Sequence, residues 1–142
     1  MRIEEVAEQT VEAWREIHNR IIPTHPLSAE EVRERVQRNL LTLAYVDDEL
    51  VGNATVRPPA DNSDTATVIV RILPDQRNRG YGATYLAEML ERARALGAAR
   101  IETVVLTANS EGLRFAGKHG FVELERYVVD GAEYADLALV PG

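Results

Sequence analysis

The chain contains no cysteine. Disulfides, thiolate nucleophiles, iron–sulfur clusters and cysteine-based zinc sites are thereby excluded, so any chemistry must use oxygen, nitrogen or a bound cofactor. Lysine is almost as scarce. Of the 16 basic residues only Lys118 is a lysine and the other fifteen are arginines. Because Lys118 is followed by His119, the Gly-Lys-Ser/Thr ending of a P-loop is absent. The same bias makes a single arginine a weak sign of phosphate recognition. No segment approaches the roughly 20 apolar residues of a membrane span, and Met1-Arg2-Ile3-Glu4-Glu5 lacks the basic-then-apolar order of a signal peptide. A positive balance is missing too: 23 acidic residues against 16 basic ones give a net charge of −7, so a broad nucleic-acid footprint is not expected. His18, His25 and His119 have no metal-ligand spacing, and no metal is expected. What remains is a cytoplasmic protein with no membrane or nucleic-acid partner, whose 142 residues suffice for one buried core.

The apolar residues that are present change period along the chain. Val6, Thr10, Ala13, Trp14, Ile17 and Ile21 fall on one helical face that Pro23 ends, although Arg2 to Val6 also reads as a short strand. Ser28-Ala29-Glu30-Glu31 reads as a capping box, with Val32, Val36 and Leu40 as the stripe of a second helix. From Leu41 the period becomes two: a hairpin turns at Asp47-Asp48-Glu49 and runs to Val56, and Thr65 to Leu73 is a β-branched strand. Leu86, Met89, Leu90, Ala93 and Leu96 form a third helical stripe ended by Gly97, before a strand from Arg100 to Leu106. A helix capped by Asn109 or Ser110 runs to His119. Two last strands, Phe121 to Val129 and Tyr134 to Val140, are joined by a turn from Asp130 to Glu133. The order implies an α/β fold on a mixed sheet, with one parallel pair across the strand–helix–strand unit.

The stretch Val68 to Ala83 carries the chemistry. A strand ends, and a turn with Gly80 and Gly82 opens a helix, so backbone N–H groups converge at the positive end of its dipole. Arg71, Arg77 and Arg79 against Asp75 make the segment locally positive. A dinucleotide fingerprint would need a small residue three places after Gly82, where Tyr85 stands. The turn therefore reads as an anion site of another kind.

Ile72-x-Pro74-x-x-Arg77-x-x-Gly80-x-Gly82, followed by Asn109-x-x-Gly112-x-x-Phe115-x-x-Lys118-x-Gly120-Phe121, resembles in order and spacing the two acyl-CoA motifs of the GNAT superfamily of N-acetyltransferases. The resemblance implies a V-shaped sheet of the acyl-CoA N-acyltransferase type, splayed between the fourth and fifth strands. It implies one acetyltransferase-like domain over residues 1–142, with 1–40 a variable helical acceptor-side region and 68–121 the acyl-CoA-binding core. It implies acetyl-CoA as co-substrate and direct attack on the thioester by a small-molecule or peptide amine, the alternative being a CoA-binding sensor that has lost catalysis. Ile72 and Leu73 would bond the donor through their backbones. The turn residues Arg77, Asn78, Arg79, Gly80, Tyr81 and Gly82 would hold its phosphates, and Asn109 and Phe115 would line its arm. The acidic balance of the chain favours a cationic acceptor. A homodimer through the last strands is one arrangement the resemblance allows, against which Glu123 and Glu125 argue. The chain departs from the family at two places: Ala116 stands where many members carry a tyrosine acid, and the strand from Thr65 to Leu73 has Arg71 as its one ionisable side chain, with no carboxylate base. No catalytic residue is assigned; Asp64, Glu123, Tyr127, Tyr134 and His119 are the candidates.

Overall fold

The chain opens with the short strand that its first residues allow. In the computed structural model, which describes residues 1–140, β1 (Arg2–Glu5) pairs antiparallel with β2 (Leu40–Val46). The helical stripe expected from Val6 starts later: the Thr10 hydroxyl accepts the Ala7 N–H at 2.9 Å and holds a 3₁₀ turn over Glu8–Thr10, so α1 spans Val11–Ile21. Val6 is buried all the same, its N–H bonded to the Leu41 carbonyl at 2.9 Å. The capping box opens α2 (Ala29–Arg38): Ser28 Oγ accepts the Glu31 N–H at 3.1 Å, and Glu31 Oε1 accepts the Ser28 N–H at 3.0 Å. Those bonds hold the Glu31 carboxyl below the usual range. Of the α2 stripe only Val32 is buried; Val36 is exposed and Leu40 already belongs to β2.

The turn Asp47–Asp48, both residues at positive φ, joins β2 to β3 (Glu49–Arg57), and β4 (Thr65–Ile72) pairs with β3 antiparallel. After α3 (Tyr81–Ala95) comes β5 (Arg100–Leu106), then α4 (Ser110–Lys118), β6 (Phe121–Val129) and β7 (Ala132–Leu139). The last hairpin is tighter than expected. Asp130 and Gly131 both take left-handed torsions, φ 50° and 82°, the two-residue turn whose twist matches its strands, so β7 begins at Ala132.

The sheet order is β1-β2-β3-β4-β5-β7-β6, with β4 and β5 the parallel pair. Its two faces bury different layers. On one, Val68, Val56 and Ile101 pack with Tyr85, Leu86 and Met89 of α3 and Ala116 of α4. Tyr85, the residue that breaks a dinucleotide fingerprint, is fully buried there, its hydroxyl 2.6 Å from Thr42 Oγ1, and burial pushes its phenol well up. On the other face Trp14, Ile17, Leu27 and Val32 of the α1–α2 layer cover Leu41 and Leu43. Trp14 has no exposed surface and donates its indole N–H to the Ala54 carbonyl at 3.3 Å. Among the described residues no helix is long and apolar enough to cross a membrane.

Candidate functional site

The parallel strands β4 and β5 pair through three residue pairs only, Thr65↔Arg100, Ala66↔Ile101 and Thr67↔Glu102, although β4 continues to Ile72 and β5 to Leu106. Beyond Thr67 they part around a cleft of about 930 Å³. A strand presents its amides to alternate edges. The Leu73 N–H bonds the Val51 carbonyl at 2.9 Å, which places Arg71, Ile69 and Thr67 on the β3 side and turns the backbone groups of Val68, Val70 and Ile72 toward β5 and the gap. The Thr67↔Glu102 pairing takes up the Val68 N–H and Arg77 the Ile72 carbonyl, so the Val70 and Ile72 N–H groups and the Val68 and Val70 carbonyls stay open. The expectation for Leu73 is thus corrected: its N–H serves β3 and its carbonyl accepts the Gln76 N–H at 2.9 Å, while Val70, which had not been singled out, joins Ile72 on the open edge.

At the end of β4 a 3₁₀ turn, Pro74–Gln76, leads into Asn78 and Gly80, both left-handed at φ 65° and 81°. Gly80 caps α3 with no side chain to offer, so the amides of Tyr81, Gly82 and Ala83 have no acceptor inside the helix or at its cap. Gly82 is favoured by contact rather than torsion: a Cβ there would stand 3.0 Å from Phe115 Cε1, so the Phe115 ring would have to give way for any side chain at this position. Tyr81, Asn78, Asn109 and Phe115 all line the cleft. Arg77 spans it, donating Nε–H to the Ile72 carbonyl at 3.0 Å and pairing with Glu111, on the first turn of α4, at 3.5 Å. Arg79, expected beside phosphates, is exposed and outside the cleft lining. The Asn109 side chain accepts the Gly112 N–H at 3.0 Å and so caps α4. Ala116 is buried beside the cleft, and the His119 ring lies 4.5 Å from that of Phe115.

The cleft offers an open strand edge that could pair with an amide-bearing arm, uncapped helix-start amides that suit an anion such as a phosphate, and a glycine close against Phe115. The α1–α2 side of the sheet supplies different chemistry. Residues that face one another across a sheet share a side, so Arg71 and Ile69 lie on the same side as Val104 and Leu106. Through the β5–β7 register that side includes Asp136, opposite Val104, and Tyr134, opposite Leu106. Tyr127 stacks on Tyr134 at 6.2 Å and donates to Asp136 Oδ1 at 2.7 Å; burial and that carboxylate push its phenol up to about 12. Thr24, between α1 and α2, comes within 3.5 Å of the Tyr134 hydroxyl. Of the carboxylates considered from sequence, Glu123 is exposed and ion-paired with Arg126. Asp64 is an exposed residue whose backbone carbonyl accepts two N–H bonds from Ala99 and Arg100. Asp136 was not considered. Its signal was the alternation of Tyr134 and Asp136 with Ala135, Leu137 and Leu139, which puts a carboxylate on the face away from α3 and α4.

The family model described as the acetyltransferase (GNAT) family matches residues 4–121. None of the curated proteins compared matches the chain in sequence. Among solved structures the chain is similar to a ribosomal-protein-alanine N-acetyltransferase from Brucella melitensis, with TM-score 0.80 and 18% identity over 97% of this chain and 98% of that one. It is also similar to a putative phosphinothricin N-acetyltransferase, with TM-score 0.83 and 21% identity over 99% and 98%. A third is yncA, a putative acetyltransferase from Salmonella typhimurium solved with its cofactor acetyl-CoA, with TM-score 0.78 and 16% identity over 97% and 92%.

Proposed function

The chain belongs to the GNAT family of acetyltransferases, and so is an acetyl-CoA-dependent N-acetyltransferase; from that premise we propose which residues seat the donor and how the amine reaches it. The observation that carries the reading is the early end of the β4–β5 ladder beside the Gly80–Gly82 turn. Bound there, acetyl-CoA supplies an activated acyl carbon and a thiolate leaving group. The amides of Tyr81, Gly82 and Ala83 hold its diphosphate, and the open edge around Val70, with the Ile72 N–H, pairs with its arm as a strand would. Phe115 packs beside the arm. Asn109 and Arg77 hold the two walls in place, since both are already engaged within the protein.

The amine enters from the α1–α2 side and attacks the acyl carbon directly: an N–C bond forms, the thioester C–S bond breaks, the sulfur leaves as thiolate, and the proton that the acylated nitrogen then sheds goes to that thiolate. An amide N–H of the open β4 edge offers the donor for the developing oxyanion. An ammonium must lose a proton before it attacks, and we assign that proton to the Asp136 carboxylate, which Tyr127 orients. With Ala116 in the usual place of a phenol, the thiolate leaves without a side-chain acid from α4. Similar structures are named for ribosomal-protein-alanine, phosphinothricin and spermidine N-acetyltransferases, and the acceptor here is a small-molecule or peptide amine.

Release of CoA thiol with a panel of amines tests the reading. The wild type is expected to turn over. Gly82→Asp, which puts a carboxylate against Phe115 and the diphosphate amides, is expected to lower kcat/KM by about a hundredfold or more. Asp136→Asn should lower kcat by on the order of a hundredfold and leave the KM for acetyl-CoA unchanged. Unaltered turnover in Gly82→Asp would remove the donor assignment, and unaltered kcat in Asp136→Asn would remove the base.

A further inference from the structure

Under α1, on the acceptor side of the cleft, lies a cation with no acid beside it. Arg71 is 7% exposed and is one of the residues lining the cleft. Its guanidinium carbon stands 5.6 Å from the Trp14 ring centroid, and Nη1 is 3.4 Å from both Asn53 Oδ1 and Thr55 Oγ1. Charge-assisted bonds of this kind normally close to about 2.7–2.9 Å, so these two contacts position the group without saturating it. Nε is buried and has no acceptor, and the hydrogen bonds Arg71 makes among the described residues both come from Nη1. The Nε–Nη2 edge of the fork thus makes none within the described protein.

The charges around it make the vacancy sharper. The ionisable groups that act on Arg71 are Arg57 and Arg35, both cations, and the Tyr85 phenol; no carboxylate is among them. Arg35 in turn has Glu31 and Glu34 on its own helix. His18, stacked on Trp14, is held neutral at pH 7 by burial and by Arg71 itself. A chain with 23 acidic residues has thus placed none of them at its most buried arginine. Buried charges are costly in proteins unless paired, so an anionic group brought to this edge would gain more than it would at the surface. The donor does not supply it, because the diphosphate amides open α3 on the opposite face of the sheet.

Building on the acetyltransferase reading, we propose that Arg71 binds a carboxylate on the acceptor through its Nε–Nη2 edge, so that the amine this enzyme acetylates is amino-acid-like. The net acidity of the chain pointed to a cationic acceptor. The local field on this face of β4 is the reverse, and Asp136, on the same side of the sheet two strands away on β7, leaves a place for the ammonium of the same molecule.

The test compares each standard L-amino acid with its C-terminal carboxamide as acceptor, after acetyl-CoA binding has been established by its effect on the thermal midpoint. The wild type is expected to acetylate at least one free amino acid and to prefer it over its carboxamide by on the order of a hundredfold in kcat/KM. Arg71→Gln is expected to bring that ratio to within about threefold while acetyl-CoA still raises the midpoint; Arg71→Lys, a point charge without the fork, should fall between. The proposal is overturned if carboxamides or polyamines serve as well as free amino acids, or if Arg71→Gln keeps the preference. Should Arg71→Gln fail to fold, the wild-type ratio decides alone. Failure of acetyl-CoA to bind, or binding without CoA release by any amine, is a different result: it overturns the proposed function itself, and this inference with it.

Discussion

His18 shows how a single buried side chain ties the acceptor side to pH. It is 4% exposed, stacked on Trp14 at 5.5 Å, and burial and the nearby Arg71 charge push its pKa down to about 4 from 6.5. The folded state therefore holds it neutral where the unfolded chain takes up a proton, and stability is lost as pH falls from about 6.5 toward 4. In urea unfolding at pH 7 and pH 4.5 the wild type should lose about 2 to 3 kcal/mol more than His18→Phe, which keeps a ring on Trp14 and cannot protonate. Equal losses would mean that His18 is not the group responsible. Arg71 and Asp136 share a lesson with it. Each residue type was visible in the sequence, but its meaning depended on what lay beside it. Nothing local tells that Arg71 would be buried in the field of two other arginines, or that Tyr127 would reach Asp136. Gly82 is the contrary case: its motif position announced it, and the reason, contact with Phe115 of another helix, came only with the fold.

Elements were legible where their signals are local. The capping box of α2 and the turn glycines before α3 and after α4 stand where the spacing put them. Ser28→Ala should lower unfolding stability by about 1 kcal/mol, measured by chemical denaturation, because both reciprocal bonds pass through Ser28; no measurable change would show that the box is dispensable. Elements whose boundaries depend on distant chain were less legible. β1 exists because β2, some forty residues on, offers its edge; the short strand read over Arg2 to Val6 stops at Glu5, and the helical face read from Val6 starts only at Val11. The α1–α2 loop is fixed by Asn19, whose side chain accepts the Leu27 N–H at 2.8 Å and donates to its carbonyl at 3.0 Å, a clamp no motif encodes. Leu73 was misassigned for a related reason. Which edge an amide faces follows from strand parity, and one residue of slip reverses it.

On the scale of the whole molecule, the sheet is divided by function at a single place. Antiparallel strands β1 to β3 and β7 with β6 brace a parallel pair that pairs briefly and then opens. Helices α3 and α4 close one side of that opening, and α1 with α2 covers the other. The donor side was legible because two motifs recur in order; the acceptor side was not, because its residues come from β4, β7 and the first helices and share no spacing. The central claim is that the open β4 edge is the seat of acetyl-CoA. Residue-resolved amide hydrogen exchange with and without saturating acetyl-CoA tests it most directly. The amides of Val70 and Ile72 should become protected together with those of Tyr81 to Ala83, while Ile69 and Arg71, already committed to β3, should change little. Protection absent from β4, or spread equally over both parities of the strand, would contradict the account.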